Sequence, residues 1–126
     1  MNAVPDELIE QVVHTFYDRV RMHPVLAPVF NSVIKDWEPH LAMMVDFWSS
    51  VMNTSGRYKG QPMPKHQALS GVSPYHFTIW LNLFETTVLD LCDPQIAERF
   101  AEKSQMIARS LQLGMFGLPS LKSPAA

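Results

Sequence analysis

The sequence predicts an all-α fold of about five helices in one domain. Apolar residues recur at helical spacing in segment after segment. Cap-and-proline starts stand at Ser73–Pro74 and Asp93–Pro94. No segment alternates with the two-residue period of a strand. At 126 residues and 47% hydrophobic, the chain has the length of a single domain with a real core and room for one pocket.

The first helix follows Pro5 and carries Leu8, Val12, Val13, Phe16 and Val20 on one face. It ends near His23, because the residue before Pro24 is pushed out of the α region. Residues 25–34 are apolar at Val25, Leu26, Val29, Phe30, Val33 and Ile34, and predict a short helix or single turns. Asp36 is placed to cap the next helix, with Glu38 near its positive end. That helix carries Trp37, Leu41, Met44, Phe47, Trp48 and Val51. Residues 56–64 hold two glycines and two prolines, which no long helix survives, and a short turn starting at Pro64 would carry Lys65 and His66. Ser73–Pro74 starts a strongly patterned helix with Phe77, Trp80, Leu81, Phe84, Val88 and Leu91 on one face. Asp93–Pro94 starts the last one, which stops at Gly114 or Gly117. These two long helices, joined by a tight turn, should pack antiparallel. Residues 6–115 are expected to be ordered and the tail, 116–126, flexible.

Bulk properties exclude several function classes. A net charge of -2 argues against a nucleic-acid partner. No apolar run is long enough to span a bilayer and no secretory signal opens the chain, so no membrane is expected and the default location is cytoplasmic. Cys92 is the only cysteine, which rules out an internal disulfide or a thiolate metal cluster. The five histidines never stand three or four apart, and no phosphate loop, HExxH pair or nucleophile elbow is present.

Four residues carry polar tips into unusual places. Tyr17, His40 and Trp80 fall within apolar helical stripes, where a hydroxyl, imidazole or indole N–H needs a partner. His66 stands alone in the Gly/Pro-rich connector, a long irregular segment of the kind that tends to be functional. Taken singly, each has an ordinary explanation: a half-buried histidine at a helix start, a tyrosine at the edge of the core, a core tryptophan, a solvated loop histidine. Trp37, Phe47, Trp48 and the methionines read as packing, and His14, His23 and His76 as surface or capping residues. Together the four suit a flat apolar cofactor held between helices by one axial imidazole.

The order of the motifs adds specificity. FYDRVR with Tyr17 comes first, then HPVLAPVF, DWEPHLAMMVDFW with His40, YKGQPMPKH with His66, HFTIWLNLF with Trp80, and finally IARSLQLG. In this order and spacing, over about residues 6–115, the chain resembles a group III truncated haemoglobin. No clear departure occurs at the four key positions, and Gly56 and Gly60 are isolated, in keeping with a group that lacks the glycine pairs of the other truncated globins.

The resemblance implies a two-over-two helical sandwich around haem b. His66 is then the proximal iron ligand, and Tyr17, His40 and Trp80 line the distal side. Phe30, Met43, Met44, Phe47 and Ile107 are candidates for the apolar slot. Arg57, Tyr58 and Lys65 flank the connector as candidates for the propionates. The implied ligands are dioxygen, nitric oxide, carbon monoxide or a similar small molecule. Nitric oxide dioxygenation or peroxidase-like chemistry would use a reductase partner, and the chain is expected to be a monomer or weak dimer. A non-catalytic gas scavenger or sensor is the main alternative, and a cofactor-free helical interaction protein the other.

Overall fold

The computed structural model describes residues 3–117. Among them are six helices: α1 Asp6–Met22, α2 Leu26–Val33, α3 Trp37–Asn53, α4 Pro62–Gln67, α5 Pro74–Leu91 and α6 Pro94–Phe116. The count exceeds the expected five because residues 26–33 close two helical turns. The side chain of His23 starts them: its Nδ1 accepts from the backbone N–H of Val25 at 3.1 Å and of Leu26 at 3.4 Å. The capping role expected of His23 is therefore seen, and so is that of His76, whose Nδ1 accepts from the Ser73 N–H at 3.1 Å at the start of α5. Asp93 caps α6 through Ile96 N–H, at 3.0 Å. Asp36 stands at the α3 N-cap as expected, without a side-chain cap bond.

One correction follows at a helix start. Helix α4 starts at Pro62, not Pro64, since the fixed φ of proline suits the first helical positions, where an N–H would have no partner in the helix. Helix α6 passes through Gly114 and ends at Phe116, with Gly117 (φ 81°) as its cap, the second of the two expected stops. Residues 118–126 of the expected flexible tail lie outside the described residues.

The α1/α3 pair lies across the α5/α6 pair, two helices over two. Helix α1 packs on α2, α3 and α5, and α3 also meets α6. Helices α5 and α6 run back along each other from the turn at Cys92 and Asp93, the largest interface in the fold. Helix α1 buries Ile9, Val12, Val13, Phe16, Tyr17 and Val20, the repeat of three and four that places one stripe in a core. These residues close on Leu26, Trp48, Phe84, Val88, Ala97 and Phe100. A smaller cluster of Phe77, Ala108 and Leu111 lies between α5 and α6.

The short α4 is held differently. It packs on the C-terminal end of α6 and makes no packing contact with α3. Gly114 allows this approach, because a Cβ there would fall into the thioether of Met63. The side-chain amide of Gln67 donates to the Gly114 carbonyl at 2.9 Å. At the other end of the connector, Asn53 grips the N-terminal segment: its Oδ1 accepts from Val4 N–H and its Nδ2 donates to Val4 carbonyl oxygen, both at 2.8 Å. Among the described residues no helix is long and apolar enough to cross a membrane.

Candidate functional site

Helix α3 has the composition of a buried helix without the burial. Of its 17 residues only Trp48 and Ser49 are buried, whereas α1, of equal length, buries six. Met43, Met44 and Phe47 are half-buried. Helix α4 buries none of its residues. Two helices that carry half-buried apolar or imidazole side chains and do not pack on each other leave room for a slot between them.

On the α4 side stands His66, half-buried. Its Nδ1 lies 2.7 Å from the carbonyl oxygen of Pro62. A carbonyl can only accept, so Nδ1 carries the proton and donates. The lone pair of the neutral ring is therefore on Nε2, the opposite edge, and the ring cannot rotate without losing the bond. This is the arrangement that orients a histidine for a metal. No cluster of three or more His, Cys, Asp or Glu side chains placed to hold a metal occurs among the described residues.

On the α3 side, the rings of His40 and Tyr17 meet edge to face. Their centroids are 5.3 Å apart and the planes nearly perpendicular, at 89°. His40 Nε2 is buried and has no hydrogen-bond partner. An unsatisfied buried polar atom costs about 1–3 kcal/mol, and this one marks where a polar ligand would be received. Burial, and then the nearby Lys65 ammonium, hold the imidazole below its ordinary value of 6.5. His40 is therefore neutral at physiological pH. Tyr17 is 4% exposed, and burial alone drives its phenol far above the usual tyrosine range, so it keeps its proton.

The structure brings Tyr17 and His40 into direct contact. Trp80 stands one ring away: it meets Phe16 at 5.6 Å, edge to face, and Phe16 meets Tyr17 at 5.0 Å. Phe30 closes the other side of Tyr17 at 5.9 Å. Phe47 meets the Tyr58 ring at 5.2 Å. Ile107, half-buried on α6, is shared between the two apolar clusters. Tyr58 is fixed by its backbone N–H on Ser50 Oγ at 2.9 Å. Lys65 is exposed. Arg57 is turned away to the start of α1, where one guanidinium nitrogen bonds both carboxylate oxygens of Asp6, at 3.0 and 3.2 Å.

One residue read from sequence as packing alone belongs to this cluster. Trp37 touches both Tyr17 (5.8 Å) and His40 (5.6 Å), donates its indole N–H to Asn31 at 3.2 Å, and carries the Arg21 guanidinium 4.7 Å above its ring. Its position three residues before His40 on the same helix was the available signal.

No model of a known protein family matches the chain. Individual proteins do. The Group 3 truncated hemoglobin ctb of Campylobacter jejuni is 32% identical over 114 residues, covering 87% of this chain and 90% of that protein. The crystal structure of the group III truncated hemoglobin from Campylobacter jejuni superposes with a TM-score of 0.85 at 30% identity, over 92% of this chain and 94% of that one. A shorter similarity, 53% over 30 residues, covers 24% of this chain and 23% of the Group 2 truncated hemoglobin YjbI of Bacillus subtilis.

Proposed function

The chain belongs to the group III truncated haemoglobins, and on that premise we propose that His66 and the Tyr17–His40 pair face each other across a haem, as proximal ligand and distal wall of a gas-binding pocket. As a member of this family the protein is a globin-type haem protein that takes small gas ligands. The observation that carries the residue assignment is the bond from His66 Nδ1 to the Pro62 carbonyl, which leaves Nε2 as the electron-pair donor. The buried, unpartnered Nε2 of His40 supports the opposite wall. These residues fit the group, and haem b, held without covalent attachment, is the form a single imidazole and an apolar slot suit.

The haem, when bound, supplies an iron centre able to take a diatomic ligand and exchange electrons. The chain supplies the rest. Met43, Met44 and Phe47 would offer the group apolar surface, with Phe30 and Ile107 beside it. Lys65 and Tyr58 would be candidates to meet the propionates, and Arg57 would join them only by leaving Asp6. On the distal side, Tyr17 keeps its proton at every physiological pH and donates it as a hydrogen bond to a polarised ligand. Trp80, whose ring meets Phe16, would add its indole N–H where that N–H reaches the pocket. His40, neutral, accepts or donates at Nε2 and shields the pocket from solvent.

Donors of this kind retain oxygen. Each contributes about 1 kcal/mol or somewhat more against a charged acceptor, and two slow release by one to two orders of magnitude, at about 1.4 kcal/mol per tenfold. Slow release favours chemistry over carriage. Nitric oxide, dioxygen and one electron balance to nitrate, with a reductase as the electron donor; reduction of peroxide is the second candidate. A scavenger or sensor without turnover is the competing reading.

The test is direct. Purified protein titrated with haemin gives a Soret band that saturates at one haem per chain, and His66→Ala abolishes retention. Unchanged haem content in that variant overturns the proximal assignment. Rapid formation of nitrate on adding nitric oxide to the oxygen-loaded protein separates turnover from scavenging.

A further inference from the structure

Among the described residues His40 has two ring neighbours, Tyr17 at 5.3 Å and Trp37 at 5.6 Å, and each meets it nearly at right angles. Its Nε2 is buried and bonds nothing, although the residue as a whole is only half-buried. An imidazole in that state gains by swinging out to water, where the nitrogen finds a partner. Ring contacts are what oppose the swing. Tyr17 makes one of them from inside the core. Trp37 makes the other from the first position of α3, three residues before His40.

The indole of Trp37 is itself pinned from two other helices. Its N–H donates to Asn31 Oδ1 on α2 at 3.2 Å, and the Arg21 guanidinium of α1 lies 4.7 Å from its ring centre. It leans on Tyr17 at 5.8 Å. With Arg21 and Leu41 it also lines an open groove between α1 and α3, so it stands at the surface and not in the core. For packing alone an aliphatic side chain would serve there, with no N–H to satisfy.

We propose that Trp37 is a positioning residue for His40: pinned by Asn31 and Arg21, its indole holds the imidazole inward against Tyr17 and so sets the rate at which small gas ligands enter the pocket. The proposal rests on the haem-pocket reading. With the ring inward, Nε2 faces the place of the ligand and the imidazole fills the way in beside the start of α3. With the ring outward, Nε2 is hydrated and the way is open. Trp37 weights the inward position, because its right-angle contact is made with the inward ring. Without that contact Tyr17 alone opposes the pull of hydration. Trp37 touches no ligand and acts only through His40.

The experiment uses the haem-loaded ferrous chain with carbon monoxide. Laser photolysis gives the association rate, and the infrared C–O stretch reports which groups face the bound ligand. Haem content is measured on the same samples. Trp37→Leu is expected to quicken association by about threefold to tenfold, the loss of one ring contact. It is also expected to move the C–O stretch toward the position found in His40→Leu. Trp37→Phe puts a ring back beside His40 and should return both readouts most of the way to the parent. In a His40→Leu background, Trp37→Leu should change neither. Arg21→Gln combined with Asn31→Leu, both at exposed positions, keeps the indole but unpins it and should quicken association about twofold. That pair carries the test where Trp37→Leu does not retain haem. A parent chain that fails to load haem overturns the pocket reading and this one with it. Haem loading with association unchanged in Trp37→Leu and in the Arg21 and Asn31 pair overturns only this one. So does a quickening that persists in the His40→Leu background, which would make Trp37 the barrier itself.

Discussion

The Nδ1 of His66 donates to the carbonyl oxygen of Pro62, four residues earlier, at 2.7 Å. A carbonyl oxygen can only accept, so the bond has one direction only. The bond is local to a six-residue helix that buries no residue, and it therefore bears on the orientation of the ring far more than on the stability of the fold. His66→Ala is expected to lower apo stability by only about 1 kcal/mol, the usual worth of one hydrogen bond, while abolishing the Soret band. Urea unfolding of the apo protein beside haemin titration of the same sample checks both halves. A large loss of apo stability would mean that His66 holds the helix instead of a metal.

Tyr17 is buried among Phe16, Phe30, Trp37 and His40, with its hydroxyl as the one polar group it brings. Tyr17→Phe preserves every ring contact and removes only that group. Apo stability should change by less than about 1 kcal/mol. Oxygen dissociation should quicken by about tenfold, the equivalent of about 1.4 kcal/mol. Stopped-flow displacement of oxygen by carbon monoxide measures it, and an unaltered rate would place the hydroxyl away from the ligand.

His40 gives the protein a pH dependence of known sign. Burial and the Lys65 charge lower its pKa in the folded state below the ordinary 6.5. Between those two values the unfolded chain binds a proton that the folded chain refuses, so stability falls as the pH drops below about 6.5 and continues to fall until the folded pKa is passed. His40→Phe should flatten this part of the curve. Lys65→Gln, which removes the second cause alone, should flatten it in part. Thermal midpoints of the apo proteins at pH 7.5 and pH 5 decide it; a steeper acid loss in His40→Phe would contradict the assignment.

The helices were legible in the sequence because their causes are local. Apolar spacing placed α1, α3, α5 and α6, and proline after Ser73 and Asp93 marked two starts that the structure reproduces. The capping roles of His23 and His76 were legible for the same reason, since each contacts backbone two or three residues away. The site was legible only as an ordered set of motifs. Contact between Tyr17 and His40 depends on how α1 crosses α3, which no local pattern encodes. Trp37 was read as packing because its own stripe explains it, and its second contact, with Tyr17, arises from the same crossing. The engagement of Arg57 by Asp6 spans 51 positions of chain and had no local signal at all.

That ion pair and the Asn53 grip on Val4 join the same two regions, and their physical worth differs. Arg57 and Asp6 are both largely exposed, with side chains 45% and 63% accessible, so solvent screens the pair. Arg57→Ala should cost less than about 1 kcal/mol. Asn53 satisfies both the N–H and the carbonyl of Val4, a residue 1% exposed. Asn53→Ala leaves two shielded backbone groups without partners and should cost about 2–4 kcal/mol, at about 1–2 kcal/mol for each. Chemical denaturation of the two variants ranks them, and equal losses would show that water replaces the amide freely.

Gly114 tests whether the seat of α4 governs His66, the proposed haem ligand. It lies inside α6, where alanine in place of glycine normally gains about 1 kcal/mol of helix stability. The thioether of Met63 occupies the space a Cβ would need. Methionine is flexible and can withdraw its tip at small cost, so the helix gain and the steric loss should nearly cancel in Gly114→Ala. The displaced Met63, however, lies in α4 three residues before His66, and Gln67 bonds the Gly114 carbonyl from the same short helix. Apo stability within about 1 kcal/mol of the parent is therefore expected, together with haem loss to apomyoglobin several times faster. Gly114→Leu, whose branch Met63 cannot avoid, should release haem faster still. Haem loss unchanged in both variants would show that α4 keeps His66 in place without its seat on α6.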